Sequence, residues 1–300
     1  MSLDRPLAWL CRRTAARLGA GRALARRLRA TYTPRLAGGS GRWIEIGDYD
    51  GDLRLCLDRG SYIGSTIYWT GYHHLRDMRW LGAALRPGMV FVDVGANIGE
   101  FTLFGAKRVG SSGRVLAFEP GDAMVDVLAR NVAANRLTQV EIFRVGLGDR
   151  DTTLPLFAPS PADGEDPHLY STYRGAHGAD AARPVQTIRI RRLDDVLAER
   201  PLERLDLMKI DVEGGELPVL EGARATLTRH RPQLLIEFNR DTSAAAGYTV
   251  DDLARFLLAQ GYALARVDRR GFHAIDPGRL AELPGETNVI ATPAGRGGAP

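Results

Sequence analysis

The sequence predicts an α/β protein with a mostly parallel sheet, helices on both faces and an antiparallel pair of strands at one edge. Three observations point there. From residue 89 onward, short apolar stretches alternate with helical ones. Parallel strands need such crossovers and are buried on both faces, so they read as continuous apolar runs. The first run, Phe91-Val92-Asp93-Val94, passes through the turn Gly95-Ala96-Asn97-Ile98-Gly99 into a helix. The last two strand-like runs, YALARVD and TNVIATP, have no helical segment between them, which fits an antiparallel edge.

The N-terminus precedes this pattern. Residues 1–36 hold nine arginines against one acid, Asp4, so most of the basic balance sits in this arm and the remainder is net negative. That distribution argues against nucleic-acid binding by the main domain. Leu3, Leu7, Leu10, Cys11 and Leu18 recur at helical spacing with arginines on the other faces. Such an arm either docks on the body or lies on an anionic lipid surface. No run reaches the ~18 apolar residues of a membrane span, and Arg12, Arg13 and Arg17 interrupt what would be a signal-peptide core. With two cysteines, Cys11 and Cys56, and no CxxC, neither a disulfide framework nor a thiolate metal site is expected. A reducing, cytoplasmic setting fits best.

Gly38-Gly39-Ser40-Gly41 separates the arm, residues 1–40, from the body. Residues 41–88 read as three short strands (RWIEIG, LRLCLD, SYIGSTIYW) and a helix over 71–85, ended by Arg86-Pro87-Gly88. Residues 89–293 form the main domain. Its strands are MVFVDVG, RVLAFEP, VEIFRVGLGD, LDLMKIDVEG and PQLLIEFN before the edge pair. Its helices begin at Ile98, Ala123, Asp194, Glu216 and Val250. Residues 157–187, rich in Gly, Pro, Ala and Asp, read as a lid or variable loop.

Ligands of open parallel sheets bind beyond the carboxyl ends of the strands. Gly95 and Gly99 permit close backbone approach, but the turn is neither the dinucleotide G-x-G-x-x-G nor a phosphate loop. Asp93, two residues before Gly95, would repel a pyrophosphate and suits a ligand carrying positive charge. Glu119, at the tip of the second strand, is placed to accept from both hydroxyls of a ribose, a feature shared with NAD sites. Asp149, in Gly148-Asp149, could reach an adenine, or serve only as a turn residue.

The fourth strand is more specific. KIDVEGGE, residues 209–216, followed by Val219-Leu220-Glu221-Gly222-Ala223, joins FVDVGANIGEFT, AFEP, GLGD and RPQLLIEFN in order. Together they closely resemble the FkbM-type methyltransferases over roughly residues 60–240. The resemblance implies a Rossmann-like class I methyltransferase fold, with a mostly parallel seven-stranded sheet, helices on both faces and an antiparallel edge hairpin. It implies S-adenosyl-L-methionine as cofactor, held by Asp93, Gly95, Asn97, Gly99 and Glu119. It also implies O-methylation of a sugar, glycolipid or secondary-metabolite hydroxyl. Family members commonly carry a glutamate where this chain has His73-His74, and Tyr170-Ser171-Thr172 loosely matches a serine segment near their active site.

Methyl transfer to an alcohol gains from positioning and from a base that takes the hydroxyl proton. Asp211, Glu213 and Glu216 follow strand four, and Glu237 and Asn239 end strand five. Asp211 and Glu213 share strand parity with Lys209, so either acid could serve as base, or the three could merely order the turn. Glu216 opens a helix, where an acid suits the dipole. Asp211, Glu237 and Asn239 are oxygen donors of the kind Mg²⁺ accepts, but their spacing is not diagnostic and no metal is assigned. His73 and His74, adjacent on a helix, should not both face one pocket. His168 and His177 fall in the lid. A non-catalytic scaffold keeping the fold is the alternative to an enzyme, and an NAD-dependent oxidoreductase lacks its G-x-G-x-x-G.

Overall fold

The computed structural model describes residues 4–15, 19–36, 42–158, 170–174, 176, 183–268 and 271–295. His168, His177 and most of the expected lid lie outside the described residues. Two helices, α1 (Asp4–Ala15) and α2 (Gly19–Leu36), lead into the antiparallel hairpin β1 (Trp43–Tyr49) and β2 (Leu53–Asp58). Helices α3 (Tyr62–Thr70) and α4 (Leu75–Ala84) follow.

The α3 stretch was expected as a strand. Ser61 decides otherwise: its hydroxyl accepts the Gly64 N–H at 2.9 Å and caps the helix, a signal that an N-cap serine carries. Gly64 is needed there, because a Cβ would stand 2.0 Å from the Asp58 carbonyl. The helix therefore starts hard against the end of β2.

The alternating units come next: β3 (Val90–Val94), α5 (Glu100–Val109), β4 (Arg114–Phe118), α6 (Asp122–Ala134) and β5 (Val140–Phe143). The expected third strand then divides. β6 (Gly146–Leu147) leaves the main sheet and joins β7 (Thr152–Ala158) and β8 (Arg183–Arg191) in a three-stranded sheet. Residues 157–187 thus connect and overlap two antiparallel strands, Phe157 pairing with Pro184. After α7 (Leu193–Glu199) come β9 (Leu207–Ile210), α8 (Glu216–Glu221), α9 (Arg224–His230), β10 (Gln233–Asn239), α10 (Arg240–Ala245) and α11 (Val250–Ala259). β11 (Tyr262–Asp268), β12 (Gly271–Ala274) and β13 (Glu286–Pro293) close the chain.

The main sheet has eight strands in the order β12-β11-β13-β10-β9-β3-β4-β5. β10 through β5 run parallel, and β13, β11 and β12 are antiparallel to their neighbours. The expected edge pair is β11 with β13. The count of seven is corrected to eight by β12, four residues folded back on β11, whose GFHA carries too little apolar pattern to be read as a strand.

Alternate residues of a strand face opposite sides of a sheet, and the core divides accordingly. Val92, Val94, Met208, Ile210, Leu234 and Ile236 pack with Val219, Leu227 and Leu253 on one face. Phe91, Leu207 and Leu235 pack with Ile67, Met78, Leu81 and Leu103 on the other.

The two N-terminal helices pack on α3. Asp4 is fully buried, its carboxylate accepting from the Arg59 guanidinium at 2.6 Å and the Tyr68 hydroxyl at 2.9 Å. Arg12 donates to the Tyr68 carbonyl at 2.6 Å and pairs with Asp48 at 2.8 Å. Ala8, Cys11 and Ala25 are buried beneath, while Leu7, Trp9, Leu10 and Leu24 point outward.

Candidate active site

A cavity of about 1030 Å³ opens at the carboxyl ends of β3, β4, β9 and β10. That is the upper end of the ~300–1,000 Å³ typical of small-molecule sites, and gives room for two reactants side by side.

One wall is the glycine turn. Gly95 has φ +78°, and a Cβ there would lie 1.9 Å from the Asp211 carbonyl oxygen, so only glycine fits. The Gly95 and Ala96 N–H groups both donate to the Phe118 carbonyl at 3.0 Å. Asn97 adopts φ +48°, and its side-chain oxygen accepts the Ile98 N–H at 2.8 Å, the local bond that makes asparagine tolerable in the left-handed region. Gly99 is turned away from the cavity, with Leu128 and Leu103 filling the space a side chain would need.

Glu119 lies where the sequence suggests. Its two carboxylate oxygens accept the Asn97 and Gly121 N–H groups, each at 2.9 Å. It is buried yet lines the cavity. Burial raises its pKa to about 6 against the lowering effect of those two hydrogen bonds. Asp149 stands exposed at the rim beside Arg150.

Asp93 departs from expectation. The cavity wall begins at Val94, and the Asp93 carboxylate is fully buried behind it. It accepts the Thr102 hydroxyl at 2.5 Å and stands 3.6 Å from the Lys209 ammonium. Direct contact with a ligand's positive charge is therefore replaced by contact with Lys209. That ammonium donates to the Gly95 carbonyl at 2.7 Å and lies 3.5 Å from Asp211. Burial alone would discharge it, but Asp211, Asp93 and Glu119 outweigh burial and raise its pKa.

The parallel register builds the opposite wall. Ile236 pairs with Ile210, and Val94 pairs with Ile210 from the other side. Glu237, Asp211 and Gly95 are consequently the next residues on three adjacent strand ends. Asp211, Glu213 and Glu237 each bring a carboxylate oxygen within 4.8 Å of the others.

Strand parity does not bring Asp211 and Glu213 together. β9 ends at Ile210, and Glu213 sits in a turn with φ +55°. Glu216 orders that turn, accepting the Val212 N–H at 2.9 Å, the Gly214 N–H at 3.1 Å and the Tyr248 hydroxyl at 3.0 Å. Asn239 is engaged elsewhere: its side-chain oxygen caps α10 by accepting the Asp241 and Thr242 N–H groups. Burial first, then the charge of Asp211, pushes Glu213 well above the ordinary carboxylate range, and the same causes raise Glu237.

Several lining residues escaped sequence reasoning. Both His73 and His74 face the cavity, because α4 starts only at Leu75 and the helical argument does not reach them. Their rings are 4.1 Å apart between centroids. His74 Nδ1 lies 3.3 Å from Asp77, and although burial opposes its charge, the Asp77 hydrogen bond and neighbouring carboxylates raise its pKa to about 9. His73 is pushed down to about 2 by burial and then by His74.

Glu100, at the start of α5, accepts the His73 N–H at 2.7 Å and has its pKa raised to about 7 by burial. Ser171 is buried and donates to the Glu213 carbonyl at 2.7 Å, while Tyr170, Thr172 and Tyr173 line the cavity. A serine in that stretch was legible; Glu100 was hidden inside the helix-start pattern.

The model of the methyltransferase FkbM domain matches residues 93–264, more than half of the chain. The AMB antimetabolite synthetase AmbE of Pseudomonas aeruginosa is 30% identical over 282 residues, 80% of this chain and 13% of that protein. Methyltransferase sdnD of Sordaria araneosa is 40% identical over 162 residues, 47% of this chain and 62% of that one. The chain thus spans less than two thirds of either relative. The 31-O-demethyl-FK506 methyltransferase FkbM of Streptomyces tacrolimicus is 30% identical, covering 56% of this chain and 72% of its own. A crystal structure of methyltransferase FkbM from Methylobacillus flagellatus KT aligns with a TM-score of 0.41 at 19% identity, over 88% of this chain and 58% of that one. With the glycine turn, Glu119 and the acidic strand tips on one cavity at the carboxyl ends of a mostly parallel sheet, the chain belongs to the FkbM methyltransferase family.

Proposed function

We propose that this chain is an S-adenosyl-L-methionine-dependent O-methyltransferase acting on a hydroxyl of a sugar, glycolipid or secondary metabolite. The observation that carries the reading is one cavity with two unlike walls. The Gly95–Asn97 backbone and Glu119 suit the donor: the turn admits close approach, and the Glu119 carboxylate keeps lone pairs for vicinal hydroxyls. When bound, S-adenosyl-L-methionine supplies an electrophilic methyl group. The opposite wall orients the acceptor, and the cluster of Asp211, Glu213 and Glu237 takes the hydroxyl proton. Burial makes Glu213 a stronger base than an exposed glutamate. Two relatives support the oxygen acceptor by name, the FkbM of Streptomyces tacrolimicus and the 2-O-methyltransferase NoeI of Sinorhizobium fredii.

Isothermal titration with S-adenosyl-L-methionine tests the donor. Saturable binding, sharply weakened by Glu119→Ala, is expected; no heat at near-millimolar ligand removes the reading. A screen of hydroxylated sugars and metabolites for the mass gain of one methyl group tests the acceptor, and separates an enzyme from a scaffold that only binds the donor.

The outward face of the arm supports a further partner, an anionic membrane surface. Trp9 and Leu10 are 45% and 53% exposed, with the Arg13 guanidinium 4.7 Å from the Trp9 ring centre. Apolar tips among exposed arginines suit an interfacial contact. Flotation with anionic vesicles should recover the protein and lose the Trp9→Ser, Leu10→Ser double variant; equal recovery removes the idea.

A further inference from the structure

We infer that the Asp211, Glu213 and Glu237 carboxylates form a binding site for one hard divalent cation, of the Mg²⁺ and Ca²⁺ class, on the acceptor side of the cavity. Acids crowded at a strand tip do not make a site by themselves. Glu237 supplies the second observation: it is 5% exposed, and its Oε2 has no hydrogen-bond partner among the described residues. A buried carboxylate with no donor is costly, and this one is turned toward two more carboxylates, with oxygens of all three inside a 4.8 Å span.

Among the described residues, the nearest cations are shared with other groups. Lys209 lies 3.5 Å from Asp211, but it is shared with Asp93 and with the Gly95 carbonyl. The imidazole of His74 is committed to Asp77. Glu286 adds another carboxylate to the same cavity, since its strand position pairs with Asn239.

The donor set selects the ion. Three carboxylate oxygens with no sulfur or imidazole nitrogen among them suit hard cations rather than Zn²⁺ or Cu²⁺. Ligands facing each other across one ion stand about 4.2 Å apart for Mg²⁺ and about 4.8 Å for Ca²⁺, so the three oxygens can share a single ion. Asp211 and Glu213 are only part-buried, which leaves the remaining positions open to water or to an acceptor hydroxyl. An ion so placed would hold that hydroxyl and lower its pKa, with the second oxygen of one of these carboxylates left to take the proton. This role rests on the methyl-transfer reading; the binding of the ion does not.

The test is calorimetric titration of chelator-treated full-length protein with Mg²⁺, Mn²⁺ and Ca²⁺, with neither methyl donor nor acceptor present. One site per chain is expected, weakened at least about tenfold by Glu237→Gln, a loss of about 1.4 kcal/mol. Thermal melts guard against a folding defect. In chelator, Glu237→Gln should melt at or above the wild-type temperature, because it removes a buried carboxyl group whose Oε2 has no partner among the described residues and which two further acids crowd. With added cation, the wild type should gain stability that the variant does not. Wild-type protein that takes up no cation at millimolar concentration, or a variant that binds it equally well, overturns the site and leaves protons as the cluster's counter-charge. A donor titration run in chelator keeps the two proposals apart: donor binding without cation binding removes the ion alone.

Discussion

The two walls of the cavity differ in how the chain uses its own polar groups. On the glycine-turn side almost every one is engaged within the protein. Glu119 holds two backbone N–H groups and Asn97 holds the next residue. Asp93 holds Thr102 with one oxygen and has the Lys209 ammonium 3.6 Å from the other, which accepts no hydrogen bond among the described residues. On the strand-tip side Glu237 has an oxygen with no partner among the described residues, and Glu213 is ordered through its backbone carbonyl by Ser171. The first wall is a rigid mould whose shape comes from main-chain geometry. The second is a set of crowded acids held mainly by the strand ends and one turn. A cofactor common to a family suits the first construction, and an acceptor that varies suits the second.

The contrast can be broken most sharply at Gly95. Gly95→Ala would drive a methyl group into the Asp211 carbonyl at a positive φ, so the turn and β9 must part. A stability loss of about 3 kcal/mol or more is expected, with donor binding abolished; urea unfolding and calorimetry would read both. Near-normal donor affinity would mean that the wall is not a rigid mould.

A middle-sized effect should appear with pH. Glu100 titrates near 7 in the folded chain because of burial, above its value in an unfolded one. The folded chain therefore holds this proton to higher pH, so its contribution to stability is full below about pH 4.5 and is lost as pH rises to 7. The amount is of order 3 kcal/mol. Glu100→Gln should remove this part of the decline in urea midpoint between pH 5 and 8; parallel curves for the two proteins would refute it.

The smallest effect sharpens the comparison instead. Ser171→Ala removes one hydrogen bond to the Glu213 carbonyl, worth about 1 kcal/mol. It should raise KM for the acceptor several-fold and leave donor affinity unchanged. A shift in donor affinity alone would place Ser171 on the wrong wall.

Legibility in the sequence followed the same division. The glycine turn and Glu119 could be read because local spacing fixes them: strand, turn and helix are contiguous, and one register brings AFEP alongside. The acids at strand tips were legible as a group, but not their arrangement. Glu213 converges through a left-handed turn rather than strand parity, and Asn239 turned out to cap a helix. Asp93 carried the right charge for a cationic ligand, yet its burial behind Lys209 depends on packing that no spacing records. His73 and His74 escape the helical expectation because the helix begins only at Leu75, after both of them. The strand expected at 61–69 failed on a single capping serine.

The docking of α2 on α3 carries a practical consequence. The Arg29 guanidinium covers the Tyr62 ring at 4.5 Å and donates to the Thr66 hydroxyl at 3.0 Å. Tyr62 and Ile63, the first turn of that same helix, line the cavity. The arm therefore buttresses the cavity rim from outside, and trimming it to improve expression would also loosen the helix turn that lines that rim.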